Sequence, residues 1–216
     1  MDQEVKQIIN AFFFPTLFIA IIWLIWILQV AAGDVGWYEL GIYPRRAEGL
    51  TGILTSPLIH SSLGHIFNNS VSILILGWLL SYSYKELKYM VFLVVWLLSG
   101  IFTWLIGRDA WHIGASGLVY ALSFFLFFSG IFRRYVPLMA TSLIVAFLYG
   151  SGVWSIFPIA ELVDPSISWE GHLSGAISGL IAAILFRKQG PQKVDPFEDE
   201  DDDENAIWKQ ELTDNR

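Results

Sequence analysis

Six runs of apolar residues, each near the length that crosses a bilayer, dominate this chain and leave few folds open to it. They fall at about residues 8–31, 66–82, 89–107, 114–132, 136–158 and 172–186. A hydrocarbon core ~30 Å thick takes about 20 apolar residues wound as an α-helix, and the helix satisfies every backbone N–H and C=O where no water can. The sixth run is short, but its glycines and alanines suit a helix buried among others. At 55% hydrophobic over 216 residues, the chain is too apolar for a soluble domain and long enough for one membrane domain. The expected fold is an all-α, six-transmembrane-helix bundle over residues 1–190. The first run has no small-residue cleavage site behind a short core, so it reads as a retained helix and not as a signal peptide.

The net charge of −7 does not belong to this domain. Residues 1–190 hold ten acidic and ten basic side chains, while residues 191–216 hold ten acidic and three basic. The core of that tail, "EDEDDDE" (198–204), is a run of like charge expected to stay solvated and disordered in the cytoplasm. Basic residues at span ends mark the cytoplasmic side. With the N-terminus inside, the inner segments carry Lys6, Lys85, Lys88, Arg133, Arg134, Arg187 and Lys188, and the outer ones only Arg45, Arg46 and Arg108. The fifth connection agrees, with Glu161, Asp164 and Glu170 and no basic residue. Both termini are therefore expected inside. Trp37, Tyr38, Tyr43, Trp111, Trp154 and Trp169 then fall near the outer interface, where aromatic anchors gather. The long first outer loop, about 32–65, mixes Gly, Pro and apolar residues and is expected to be partly embedded. Cysteine is absent, which excludes disulfides and thiol chemistry. No basic, aromatic-interleaved surface points to nucleic acid, and no internal repeat is seen.

The three spans that run from outside to inside each open with polar residues that hydrocarbon rejects. The second opens with "HSSLGHIFNNS" (60–70), the fourth with Ser116 and the sixth with "EGHLSG" (170–175). At ~1.5 Å per residue, Ser116 lies ~25 Å from Arg133, His172 ~22 Å from Arg187 and Asn69 ~24 Å from Lys85. Three helices thus bring polar groups to one level, just below the outer surface. Intramembrane polar groups face a partner or a wet cavity, so convergence there marks an active site or a small-molecule site.

Each residue has a structural alternative. A serine among small residues, as in Gly114-Ala115-Ser116-Gly117, is also how membrane helices approach closely. His172 could simply bridge helices, yet a serine hydroxyl at the same depth needs a base to become a nucleophile. Gly175 and Gly179, in a G-x-x-x-G, would let the sixth helix press on a neighbour, and Gly114 and Gly117 would do the same for the fourth. Tyr120, one turn after Ser116, could stack on the imidazole or only pack. His65 and Asn69 are four apart and share a face; with the Ser116 N–H they could form an oxyanion hole or cross-link helices. His60 is expected to tether the first loop, and His112 to be an interface residue. No H-E-x-x-H and no nearby intramembrane carboxylate favours a metal, and none is expected. No buried Asp or Glu is expected at the depth needed to orient His172, so the arrangement reads as a dyad.

In order and in depth, H-x(4)-H-x(3)-N (His60, His65, Asn69), G-x-S-G (Gly114 to Gly117) and H-x-x-G-x-x-x-G (His172, Gly175, Gly179) together resemble a rhomboid intramembrane serine protease, over residues 43–187. The resemblance implies a cavity opening to the outside, Ser116 as nucleophile, and His172 as general base. His65, Asn69 and the Ser116 backbone would line the oxyanion hole, with Tyr120 under the imidazole. It implies no cofactor. Its partners would be the lipid bilayer and membrane-anchored protein substrates, cut in or beside a transmembrane segment. The fifth helix and its outer loop, with Gly150, Ser151 and Gly152, would be the gate. The first loop departs from the family: "YPRRAEGL" (43–50) stands where many members carry a Trp-Arg pair. The six-span form with no targeting segment points to a bacterial plasma membrane.

Overall fold

The computed structural model describes residues 2–33, 36–159, 162, 164 and 167–193. The acidic run 198–204 and Glu161 lie outside the described residues. Six long helices carry the apolar runs: α1 (Gln3–Ala32), α2 (Leu63–Ser83), α3 (Lys88–Ile106), α4 (Ser116–Arg133), α5 (Val136–Tyr149) and α6 (Trp169–Leu185). Among the described residues no strand forms beyond one isolated bridge, between Ile42 and His112. Five helices, counting α5 with its 3-10 continuation to Ile156, are long and apolar enough to cross a membrane; α6 has 17 residues.

Helix α4 is the axis of the bundle. More than half of it is buried, and α2, α3, α5 and α6 all pack on it. Its largest interface is with α6, where glycine replaces side chains. A Cβ at Gly175 would run into the Gly117 carbonyl, and one at Gly179 into the Ala121 carbonyl and within 2.8 Å of the Phe125 N and Phe124 Cβ. Backbone-to-backbone contact of this kind is how membrane helices gain dispersion energy without a hydrophobic drive between them. Helix α1 instead lies at the periphery. Its Pro15 sits against Gly77 of α2, where a Cβ would come within 2.7 Å of the ring, and its Trp23 indole donates to Ser70 Oγ at 3.0 Å. Large apolar side chains remain exposed all round, up to 89% at Phe147. A face so apolar requires lipid as its solvent.

Three of the element ends that shift from the expected positions have a local cause. Helix α4 starts at Ser116, two residues late, because Gly114 adopts φ +100° and turns the chain first. Helix α6 starts three residues early, because the Ser168 side chain caps it by accepting from Gly171 N–H. The fifth span tightens into a 3-10 helix over Gly150–Ile156. The first loop is a string of short helical turns laid on α3, held by Trp96 Nε1 donating to the Ile53 carbonyl at 3.1 Å. At the opposite end Arg133 is buried. It donates to Ser129 Oγ at 3.0 Å and to the carbonyls of Phe186, Gln189 and Pro191, which fixes the chain leaving α6.

Candidate active site

Ser116 is the first residue of α4. The first intrahelical bond runs from Val119 N–H to the Ala115 carbonyl, so the N–H groups of Ser116, Gly117 and Leu118 lie ahead of it at the positive end of the helix dipole. The turn before it is held by Gly114 N–H donating to the Ser56 carbonyl at 2.8 Å. Only glycine fits there: φ is left-handed, and a Cβ would strike the His65 imidazole at Cε1 and Nε2. The His65 ring is thus seated directly over the turn that presents Ser116.

His172 stands in the first turn of α6. Its Nδ1–H donates to the Ser155 carbonyl at 3.1 Å. A neutral ring held this way offers a bare Nε2 as acceptor. Its face lies against Tyr120 with centroids 4.3 Å apart and planes 18° from parallel. Tyr120 is itself anchored, its hydroxyl bonded to the Gly152 carbonyl at 2.9 Å and to Ser155 Oγ. Ser155 therefore holds both the imidazole and the ring beneath it.

Asn69 and His65 share one face of α2. Asn69 is buried, and its Nδ2 donates to His60 Nε2 at 3.1 Å. One amide N–H is spent there and the second is left for another acceptor. His65 Nδ1 pairs with Ser61 Oγ at 3.1 Å; with the hydroxyl donating, Nε2 carries the hydrogen on the side of Gly114. His60 is fully buried, its ring edge-on to His65 at 5.0 Å. Burial and the neighbouring His65 push its imidazole down to about 4, against an opposing pull from the Leu58 carbonyl. It is neutral, as accepting from Asn69 requires. His60 also tethers the chain, its backbone exchanging hydrogen bonds with the Gln29 amide at 3.3 Å.

A cavity of about 700 Å³ is lined by Asn69, Ser116, Tyr120 and His172 at one end and by Phe124, Phe127, Phe128 and Val145 at the other. It brings the serine, histidine and asparagine of three helices to one space. Gly175 and Gly179 do not line it and act through the α4–α6 contact, whereas a Cβ on Gly117 would come within 2.8 Å of Ser99 Oγ.

Three features were not read from the sequence. Glu170 is buried, 3% exposed. It does not reach His172 because Arg108 takes it, donating from its backbone N–H and its guanidinium at 3.3 Å each. His112 is likewise a buried hydrogen-bonded residue rather than an interface anchor, and burial holds its imidazole below the usual histidine range. The Ser155 carbonyl, a backbone group in an irregular turn, leaves no signature in sequence. Among the described residues no cluster of three or more His, Asp or Glu could hold a metal.

The sequence model of the rhomboid domain matches residues 47–189. An uncharacterized protein of Mycobacterium bovis and another of Mycobacterium tuberculosis are each 33% identical over 178 residues, covering 78% of this chain and 72% of their own. An uncharacterized protein of Mycobacterium leprae is 34% identical over 153 residues, covering 68% of this chain and 60% of its own.

Proposed function

We propose that this chain, an integral membrane protein that belongs to the rhomboid family, is a serine endopeptidase cutting membrane-anchored proteins in or beside a transmembrane segment. The observation that carries this reading is the setting of His172. Its Nδ1–H is committed to the Ser155 carbonyl and its ring is braced by Tyr120, which leaves Nε2 as the free ring nitrogen of a residue that lines the same cavity as Ser116.

Ser116 Oγ attacks the scissile carbonyl as its proton passes to His172 Nε2. The tetrahedral oxyanion receives hydrogen bonds from the Ser116 N–H, the second Asn69 amide N–H and the His65 Nε2–H. Such preorganised donors are worth about 10²–10³ in rate apiece. The proton on His172 then passes to the departing amine, leaving an acyl-enzyme on Ser116. Water enters from the outer side and adds to the acyl carbonyl as it gives a proton to His172; the Ser116 Oγ–acyl bond then breaks as that proton passes to Oγ, which releases the acid and restores the serine hydroxyl. Among the described residues no carboxylate orients the imidazole; the Ser155 carbonyl does so in its place. Because a helical substrate hides its carbonyls in hydrogen bonds, the segment must unwind locally before attack.

The residues 1–190 act as the membrane domain, with both termini in the cytoplasm of a bacterial cell and the cavity open to the outside. The test is cleavage of a model single-span protein by the purified protein in liposomes. Wild type is expected to cut near the outer end of the span, and Ser116→Ala not at all. Equal cutting by both would remove Ser116 from the mechanism.

A further inference from the structure

We propose that His112, in its neutral form, is a positioning residue that locks the loop carrying Ser116 to the cap of the helix carrying His172; the inference rests on the dyad reading above. Both ring nitrogens are engaged. Nε2 lies 3.1 Å from the Arg108 carbonyl, which can only accept, so Nε2 carries the hydrogen. Nδ1 is then the acceptor, and the Ser168 hydroxyl 2.6 Å away donates to it. Ser168 Oγ meanwhile accepts from Gly171 N–H at 3.2 Å and so caps α6. The result is one directed chain, Gly171 N–H to Ser168 O–H to His112 to the Arg108 carbonyl. The His112 backbone adds a third attachment, exchanging bonds with Ile42 of the first loop at 2.8 and 2.9 Å.

The position of this chain gives it leverage. His112 is four residues ahead of Ser116, and Ser168 is four residues ahead of His172. Gly171, the residue being capped, presses its carbonyl toward Gly117, where a Cβ would sit 3.2 Å from it. A cavity of about 30 Å³ has His112, Ser168 and Gly171 in its lining together with Ser116 and Gly117. The register of the two helix starts, and with it the Oγ-to-Nε2 approach, is set by groups that never touch substrate.

The chain works in one protonation state. A second proton on His112 turns Nδ1 into a donor facing the hydroxyl hydrogen of Ser168, which must swing away while Oγ still accepts from Gly171. The charges around the ring divide: Glu170 of α6 favours the cation, and Arg108 of its own loop and Arg45 of the first loop oppose it. Arg45 is paired with Asp109, and Arg108 with Glu170. Burial is the largest influence and disfavours the cation.

The experiment compares wild type, His112→Phe, His112→Asn, Ser168→Ala and the His112→Phe/Ser168→Ala double variant in liposomes, for cleavage and for thermal stability against pH. Phe keeps the ring and loses the bonds, and kcat is expected to fall about 10- to 100-fold at unchanged KM, the loss that small misplacement brings. Ser168→Ala should fall as far, and the double variant no further. Asn keeps an acceptor near Nδ1 without titrating, so it should retain more than the Phe variant and lose less activity and stability than wild type on acidification. The His60 contribution is common to all and cancels. Wild-type kcat in His112→Phe, additive losses in the double variant, or an unchanged acid limb in His112→Asn would overturn the inference. If wild type cuts nothing and Ser116 resists active-site labelling, the dyad reading fails by itself. The non-additivity of the His112 and Ser168 variants in thermal stability then still decides whether the clamp exists.

Discussion

On the proposed mechanism Ser116→Ala and His172→Ala remove different atoms of one reaction, so each is expected to bring cleavage to background, a loss on the order of 10⁴-fold or more. Their double variant should be no worse, which single-turnover assays can check. On the same mechanism Asn69→Ala leaves the dyad intact and removes one oxyanion donor, so it should lower kcat about 10²–10³-fold with little change in KM. Acid should act through His60. Its imidazole is held at about 4 against an ordinary 6.5. Above 6.5 it is neutral folded or unfolded; as pH falls toward 4 only the unfolded chain takes up the proton, so stability is lost with acidification. His60→Gln should flatten that part of a thermal profile, and an unchanged profile would contradict the account. Ser116, His172, His65 and Asn69 could be picked out in the sequence because hydrocarbon makes polar side chains conspicuous. Ser155 could not be, because its contribution is a carbonyl that every residue owns. Nor could the neutral, buried His112, whose partners come from segments 56 and 4 residues away.

At the scale of elements, the site depends on how closely α4 and α6 approach. The G-x-x-x-G at Gly175 and Gly179 could be read from spacing, and glycine is required there because the atoms a Cβ meets are backbone of α4. Gly179→Ala is expected to cost about 1–3 kcal/mol and to lower the thermal midpoint and the cleavage rate together. A variant as stable as wild type would mean that the helices part without penalty. The six runs marked the helices well, since length and hydropathy decide which segments cross. Boundaries were harder. The start of α4 follows the left-handed Gly114, the start of α6 follows a serine cap, and the fifth span breaks into a 3-10 turn where Gly150 and Gly152 fall. These are decided by local hydrogen bonds and φ angles, to which an apolar pattern is blind.

For the whole molecule, the proposed topology, argued from the balance of basic residues, has the termini inside and the cavity mouth outside. The chain has no cysteine, so Glu48→Cys and Lys193→Cys report cleanly. An impermeant maleimide added to intact cells should label the first and leave the second untouched; the reverse pattern would invert the topology. The central claim is that one serine in this bilayer-embedded cavity is a nucleophile activated by one histidine. The most direct measurement is the site and rate of covalent modification by a fluorophosphonate, mapped by peptide mass spectrometry in wild type and in His172→Ala. The account predicts a single adduct on Ser116 in wild type and its near-complete loss in His172→Ala. An adduct elsewhere, or equal labelling of Ser116 without His172, would contradict it.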